Sequence, residues 1–571
     1  MWLAPEHDQE EEGLSSTQQE QHRAGAEERA TDFDAVIVGA GFSGLYMLHR
    51  LRNQMGLSAR VYEAADGVGG TWYWNRYPGA RSDSDSYVYC YSFDKDLWQE
   101  WEWSERYPEA PEIRSYLNHV ADRFDLRRDI QFSTRVTEAT FDEEKKVWEV
   151  RTDGGDVVTA KYFIAAAGAL SAANLPDIPG RDTFAGETYH TGLWPHEGVD
   201  VTGKRVGIIG TGATGIQAIP LIAEQAEHLT VFQRTANYTI PARNGPVDPE
   251  VKEARKADYE GIWERIRNSF AGHELWFIEK GALEDSPEER EREFRARWDK
   301  GGFGLWVGNY QDILADKEAN DTVSEWVRER IRERIHDPVT AEKLIPRDHA
   351  FGTKRVPLET NYYEAFNRDN VELVDLRTTP IREITPKGLR TEDAKEYEFD
   401  VLIFATGFDA MTGPLTRIDI RGRGGRLLRE KWAEGPRTYL GLTSADFPNF
   451  FFITGPGSPS VLTNMPPSIE QHVEFVSRII NDMQERGAET IEPTQQAEDE
   501  WSDHVQEVAH ATLFPESATW YMGANVPGKP RVFMPYIGGF APYREKCDEI
   551  AANGYEGFAI DGAASREGAN V

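Results

Sequence analysis

An α/β fold with two Rossmann-like dinucleotide-binding domains and a helical insertion is predicted by three features of the chain. Two strand–glycine turn–helix units occur, one around Gly39 and one around Gly210, and a charged, Trp-rich block follows the second. With 571 residues the chain exceeds what one ordinary hydrophobic core supports, so two or more domains are expected. We expect an acidic, flexible tail over 1–32 and a first domain opening at 33–169. The second domain is expected over 170–396, with the insertion at about 242–345, and the first domain is completed by 397–571.

The first unit is DFDAVIVGAGFSGLYMLHRL, followed by SARVYEAA. Ala35 to Val38 is an apolar run suited to a buried parallel strand. Gly39, Gly41 and Gly44 then follow in G-x-G-x-x-G spacing before an apolar helical segment, and the second strand ends in Glu63. The glycines permit a tight turn, close approach of a pyrophosphate and close helix–strand packing, and the acid accepts hydrogen bonds from a ribose. The second unit, KRVGIIGTGATGIQAIPLIA, carries Gly210, Gly212 and Gly215, and its following strand ends in Gln233, Arg234 and Thr235 instead of an acid. A carboxylate repels a 2′-phosphate and a guanidinium holds one. The first site therefore suits a non-phosphorylated adenosine cofactor and the second NADP, although Arg234 also reads as an exposed arginine ending a strand; with two such units in one chain, the first is assigned to FAD.

Two further apolar strands, in KYFIAAAGAL and YEFDVLIFATGFD, each end in a small-residue turn. They are expected where the chain crosses between the two nucleotide domains, or as two more buried strands. In the insertion, DPEVKEARKADYEGIWERIRNSF and SEWVRERIRERI read as amphipathic helices with solvated charge.

Composition narrows the partners. With 63 Lys and Arg against 97 Asp and Glu, the net charge is −34, which disfavours nucleic acid and anionic membranes. No apolar run approaches the ~18 residues of a membrane helix, and the N-terminus has no signal-peptide core. Two cysteines, Cys90 and Cys547, support neither a disulfide framework nor a Cys-based metal site, and no histidine grouping suggests a metal. A cytoplasmic monomer acting on a small molecule is expected.

Two dinucleotide sites suggest a hydride relay from nicotinamide to flavin. A disulfide reductase needs a redox cysteine pair beside the flavin, which is missing, and oxygen remains as the acceptor. The stretch FAGETYHTGLWP then becomes informative. Phe184, Gly186, His190, Trp194 and Pro195 fill the pattern F-x-G-x-x-x-H-x-x-x-W-[PD], which resembles the fingerprint of type I Baeyer–Villiger monooxygenases. GGTWYWNRYPGARSD, GTKR, ATGFD, GPGSPSVLTNM and SATWYMGANVPGKPRVF extend the resemblance, toward phenylacetone and steroid monooxygenases, from about residue 33 to the C-terminus.

The resemblance implies that NADPH reduces FAD and that oxygen adds to form a flavin C4a-peroxyanion. This anion attacks a ketone to give an ester or lactone, with sulfoxidation as a side activity. It also implies roles for individual residues. Arg355 is the central catalytic cation and Asp83 the acid that positions it. Lys354 joins Arg234 and Thr235 at the NADP 2′-phosphate, and Trp520 contacts NADP, with core packing as its alternative. Gly70, Thr71 and Trp72 run along the flavin, while Trp72 and Trp74 also suit plain aromatic packing. Ser460, Val461, Leu462 and Met465 are expected to shape the substrate pocket, where Pro466-Pro467 departs from the relatives. His190 is expected to anchor a hinge rather than to make bonds. The rival readings are a sulfide or amine oxygenase, a peroxide-releasing oxidase and a binding protein without catalysis.

Overall fold

The computed structural model describes residues 31–562, and the expected tail lies outside this range apart from its last two residues. Strand Phe33–Val38 pairs in parallel with Ala59–Tyr62 on one side and with Val157–Ala165 on the other. It is the central strand of an eight-stranded sheet, and its apolar run is buried because helices or loops cover both faces. The strand Val157–Ala165 changes partner along its length. Its first half pairs antiparallel with Val147–Thr152, and its last residues pair parallel with Phe450–Phe452, which returns from far down the chain.

The second sheet has five strands, all parallel, in the order Val371–Asp375, His228–Gln233, Arg205–Ile209, Val401–Phe404 and Glu187–His190. One expectation is corrected here. The boundary at 397 falls too early, because Val401–Phe404 lies inside this sheet and the chain leaves it only afterwards. The stretch Phe184–Pro195, which shows no strand alternation, nevertheless supplies the edge strand Glu187–His190. An edge strand has one ladder of hydrogen bonds and one solvated side, so the pattern of alternation that marks a half-buried strand is weakened.

The two crossings lie side by side. The segment after Val157–Ala165 and the segment after Val401–Phe404 meet as an antiparallel ribbon, with a bridge between Ala173 and Phe408. Asn174 donates its backbone N–H to Gly407 O (3.0 Å), and Asp409 donates to Ala172 O (2.8 Å). The insertion is helical as expected, with helices at Pro249–Ala257, Tyr259–Arg267, Pro287–Lys300 and Lys317–Arg334 among others. Cys90 and Cys547 are free and buried.

Gly186 shows why the fingerprint needs its glycine. A Cβ there would lie 2.6 Å from Asp400 O and 2.6 Å from Phe184 Cζ, so the Phe184 ring and the neighbouring strand together occupy the side-chain position. Gly186→Ala should therefore destabilise the protein by about 1–3 kcal/mol through overpacking, read as a lowered denaturant midpoint. An unchanged midpoint would show that the edge strand can shift to make room.

Candidate active site

Both glycine turns solve the same steric problem. Gly39 has φ +101°, and a Cβ on it would lie 2.7 Å from Ala166 O; Gly210 has φ +117°, and its Cβ would lie 2.3 Å from Ala405 O. Ala166 and Ala405 follow the two strands that end in small residues, so the AAAG and ATG turns abut the fingerprint glycines. Gly44 and Gly215 pack against the carbonyls of Gly39 and Gly210, at distances only a hydrogen permits. Gly41 lies against Gly70, whose own Cβ would sit 2.9 Å from Gly41 Cα, whereas a Cβ at Gly212 would meet open space. Except at Gly212, a side chain does not fit at these positions, and each turn opens a helix N-terminus, Phe42–Leu48 and Ala213–Gln225, which suits a phosphate group.

Glu63 is buried, and its two carboxylate oxygens accept from Ala40 N (2.7 Å) and Ala65 N (2.8 Å). Burial raises its pKa, partly offset by those two amides. The carboxylate is thereby fixed beside the first glycine turn with lone pairs left for a ribose. Trp72 is buried and packs edge-on against Tyr89 (5.7 Å, 90°), to whose hydroxyl its indole donates (3.2 Å). Its packing role is thus present, and Thr71 starts the same short helix.

At the second site Arg234 is exposed at the end of its strand, while Thr235 O accepts from the Thr211 hydroxyl (3.0 Å). Burial lowers the pKa of Lys354; Asp348 opposes this, and the like charge of Arg234 adds to it. Neither Arg234 nor Lys354 has an ion-pair partner among the described residues. Two neighbouring cations are thus left unpaired in a chain of net charge −34.

Arg355 and Asp83 meet directly, Nη2 donating to Oδ1 at 2.7 Å. Arg355 lies deep in the molecule yet keeps 25% of its side-chain surface accessible, so it lines a cleft. Burial works against the guanidinium charge, but Asp83, together with Tyr521 and Tyr89, more than offsets it and the pKa rises. The guanidinium also lies over Phe303 (4.8 Å) and Trp306 (5.4 Å), two residues of the insertion that sequence reasoning missed. Their only signal was the Trp-rich composition of the block. Tyr521 was missed as well. It is fully buried, its hydroxyl has no partner among the described residues, and Arg355 acts electrostatically on it. Trp520, beside it, is half-buried, with ring centroids 4.2 Å apart.

The loop Gly455–Asn464 leads into the helix Met465–Arg486, where Pro466 and Pro467 occupy the first turn and forgo no helical hydrogen bond. Val461 is buried in a cluster with Tyr521 and Met411, and Leu462 and Met465 pack against it. Ser460 is fully buried, and its hydroxyl donates to Thr454 O (3.2 Å) rather than facing a ligand. His190 Nδ1 accepts from Gly192 N (3.0 Å), and Phe408 of the return crossing lies edge-on to its ring (6.1 Å, 83°). Burial lowers the His190 pKa, opposed by the nearby carbonyls of Gly407 and Asn174. Trp194 is buried, and its carbonyl accepts from Arg76 Nε (2.9 Å) in the RYPGARSD loop. Pro195 closes the stretch.

The chain thus carries two glycine turns at helix N-termini and a guanidinium paired with a carboxylate, and the comparisons with known proteins agree with these features. A family model described as flavin-binding monooxygenase-like matches residues 34–245. A Baeyer–Villiger monooxygenase of Pseudooceanicola batsensis is 48% identical over 94% of this chain and 97% of its own length. The chain belongs to the Baeyer–Villiger monooxygenases. Within this family it is also similar to an oxidised steroid monooxygenase bound to NADP, 53% identical with TM-score 0.88, covering 92% of this chain and 99% of that one. A structure of OTEMO in complex with FAD and NADP is 44% identical with TM-score 0.90, covering 93% and 100%.

Two outcomes follow for this Baeyer–Villiger monooxygenase. Arg234→Ala and Lys354→Ala should each raise KM for NADPH by about 10- to 100-fold, the value of a charge-assisted hydrogen bond, with little change for NADH. Equal rises for both cofactors would remove the phosphate assignment. The second concerns His472, fully buried, which accepts from Thr454 N (3.1 Å) and is pushed down to a pKa of about 3 by burial. Its folded pKa lies below its ordinary value of 6.5, so the unfolded chain binds the extra proton. Stability is therefore complete above pH 6.5 and falls with acid. His472→Gln should flatten this loss by about 1.4 kcal/mol per pH unit, measured by denaturant unfolding at neutral and acid pH.

Proposed function

We propose that the enzyme inserts one oxygen atom of O2 into a carbon–carbon bond beside a ketone carbonyl at Arg355. NADPH, a proton, O2 and the ketone are consumed, and an ester or lactone, NADP+ and water are released. The observation that carries this reading is the Arg355–Asp83 pair, at 2.7 Å, roofed by Phe303 and Trp306. When bound, FAD would supply the activation of O2, and the inserted atom comes from O2. Gly39, Gly41, Gly44 and Glu63 would hold the adenosine half of FAD, with Gly70, Thr71 and Trp72 along the flavin. Gly210, Gly212, Gly215, Arg234, Thr235 and Lys354 would hold NADP, and Trp520 would contact it.

The chain's own residues perform three tasks. Arg355 stabilises negative charge that develops on the carbonyl oxygen as the new bond forms, a role suited to a planar group that stays charged at any working pH. Asp83 keeps the guanidinium in place, and the rings of Phe303, Trp306 and Tyr521 limit water, which strengthens that electrostatic effect. Val461, Leu462 and Met465 offer the ketone an apolar wall. Ser460 shapes the turn that presents them. His190 ties the edge strand to the crossing ribbon, where domain movement must pass.

A soluble cytoplasmic monomer completes the reading. Among the described residues no helix is long and apolar enough to cross a membrane, and no group of residues suits a metal ion. A net charge of −34 opposes self-association.

Arg355→Ala should lower ester formation by about 100- to 1,000-fold while the flavin spectrum is retained. Arg355→Lys should restore only part of the rate, because an ammonium lacks the planar fork. Ester production by Arg355→Ala at close to the wild-type rate would overturn the role. Product analysis with a ketone and a thioether separates the ketone reading from a sulfide oxygenase, in which the sulfoxide would dominate.

A further inference from the structure

The insertion places a histidine beside Arg355 that no step of the proposed reaction uses. His273 lies in the loop after the helix Tyr259–Arg267 and is 8% exposed. Its ring meets Phe303 edge-on, 5.7 Å between centroids at 69°, and Phe303 is a ring over which Arg355 lies. On its other side the loop is fixed by Gly455–Asn464. Asn464 donates its backbone N–H to Ala271 O (2.8 Å), and a Cβ on Gly272, which has φ +65°, would lie 3.3 Å from Asn464 Cβ. His273 is therefore held between the aromatic roof and the loop that carries Val461 and Leu462.

The side chain is uncommitted. Its backbone N–H donates to Ser269 Oγ (3.1 Å), but neither ring nitrogen has a hydrogen-bond partner among the described residues. In His190, His349 and His472 the unpartnered Nε2 is sealed from solvent, whereas neither nitrogen of His273 is closed off in this way. The adjacent Glu274 is committed elsewhere, its two oxygens accepting from Arg265 Nε (2.6 Å) and the Tyr87 hydroxyl (2.7 Å).

Burial pushes the imidazole down to a pKa of about 4; Asp85 opposes the shift, the like charge of Arg355 adds to it, and Asp83 opposes it. At neutral pH the ring is uncharged and offers one N–H donor and one lone pair. A ketone entering the cleft displaces water from these nitrogens, and a buried polar group left unpaired costs about 1–3 kcal/mol. A hydrocarbon ketone leaves that cost in place. A ketone that also carries a hydroxyl removes it, and sites built this way discriminate strongly against the analogue that lacks the group.

We propose that His273 determines substrate choice by hydrogen-bonding a hydroxyl that the ketone carries at a position remote from its carbonyl. The inference rests on the ketone oxidation at Arg355 proposed above, and it names the class of ketone as a hydroxyketone. The carbonyl oxygen meets Arg355, the apolar body lies against Phe303 and Val461, and the hydroxyl reaches the imidazole. There it donates to the free lone pair or accepts from the ring N–H. His273 binds and orients, and it exchanges no proton with the reacting atoms. Phe303 neighbours both His273 and Arg355, so the two anchors are bridged by a single ring.

The test uses the full-length, FAD-loaded protein with NADP+ and four probes, 4-phenylbutan-2-one and its ortho-, meta- and para-hydroxy derivatives. Kd is read from NMR line broadening of the methyl singlet that all four share. At least one hydroxy derivative should bind about tenfold more tightly than the parent, the value of one hydrogen bond. His273→Phe should reduce that advantage to less than about twofold and leave the Kd of the parent little changed. His273→Gln, which keeps a donor and an acceptor, should retain part of the advantage. The ratio of kcat/KM between the same two ketones should follow the ratio of Kd values. The flavin spectrum of each variant reports that it is folded. Equal binding of all four probes by the wild type, an advantage that persists in His273→Phe, or an equal loss of parent and derivative in that variant would each overturn the proposal. Absence of ester from every ketone would instead overturn the oxidation at Arg355, while the binding ratios still decide the role of His273.

Discussion

A guanidinium withdrawn from bulk water has to keep a carboxylate beside it, and the Arg355–Asp83 contact meets that requirement across the boundary between two domains. Asp83 follows directly on a stretch of loop held from two directions. Ser82 N donates to Pro108 O (3.0 Å) within the first domain, and Gln217 of the second glycine-turn helix donates to Arg81 O (3.2 Å). Arg355 follows a turn in which Gly352 O accepts from the indole of Trp306 (3.1 Å). The pair therefore exists only when both domains and the insertion are in place. This gives the helical block a purpose its surface charge does not suggest.

The nucleotide cradles depend on a different constraint, the closeness of backbone to backbone. In both domains the first fingerprint glycine presses on the carbonyl of an alanine that ends a neighbouring parallel strand. The same two strand ends release the chain into the crossing ribbon, so the binding turns and the interdomain connection share one point of support. The ribbon is fastened from a third direction: Asn525 donates to Phe408 O (2.7 Å), and Lys529 pairs with Asp409 at 2.6 Å. These two residues belong to the segment that also carries Trp520 and Tyr521. A shift of one crossing strand is consequently felt both at the Arg355 cleft and at the turn beside it.

In a chain with so large an acidic excess, most cations find a partner, and those that do not are informative. Arg234 and Lys354 stand together at the end of the second domain's strand, and Arg255 lies over the ring of Tyr87. Each lacks an ion-pair partner among the described residues. The acidic field repels anions in general, so local clusters of this kind set where a negatively charged ligand gains free energy by binding.

The sequence by itself determined the two glycine turns, the choice between acid and arginine after each second strand, the helical insertion and the family fingerprint. These are local patterns, written in residues a few positions apart, and the physical need for glycine or an apolar run is met within one turn or strand. It also carried Arg355 and Asp83, through motifs matched to relatives. What only the tertiary structure decided are the contacts made by residues distant in the chain. Among these are the placement of Val401–Phe404 in the second sheet, the edge strand hidden in Phe184–Pro195 and the ribbon of crossings. The aromatic roof over Arg355 and the commitment of the Ser460 hydroxyl to Thr454 belong there too. No spacing in the sequence encodes them, because each is set by the packing of two or three elements at once. A buried tyrosine such as Tyr521 has no pattern of its own until the neighbouring elements close around it.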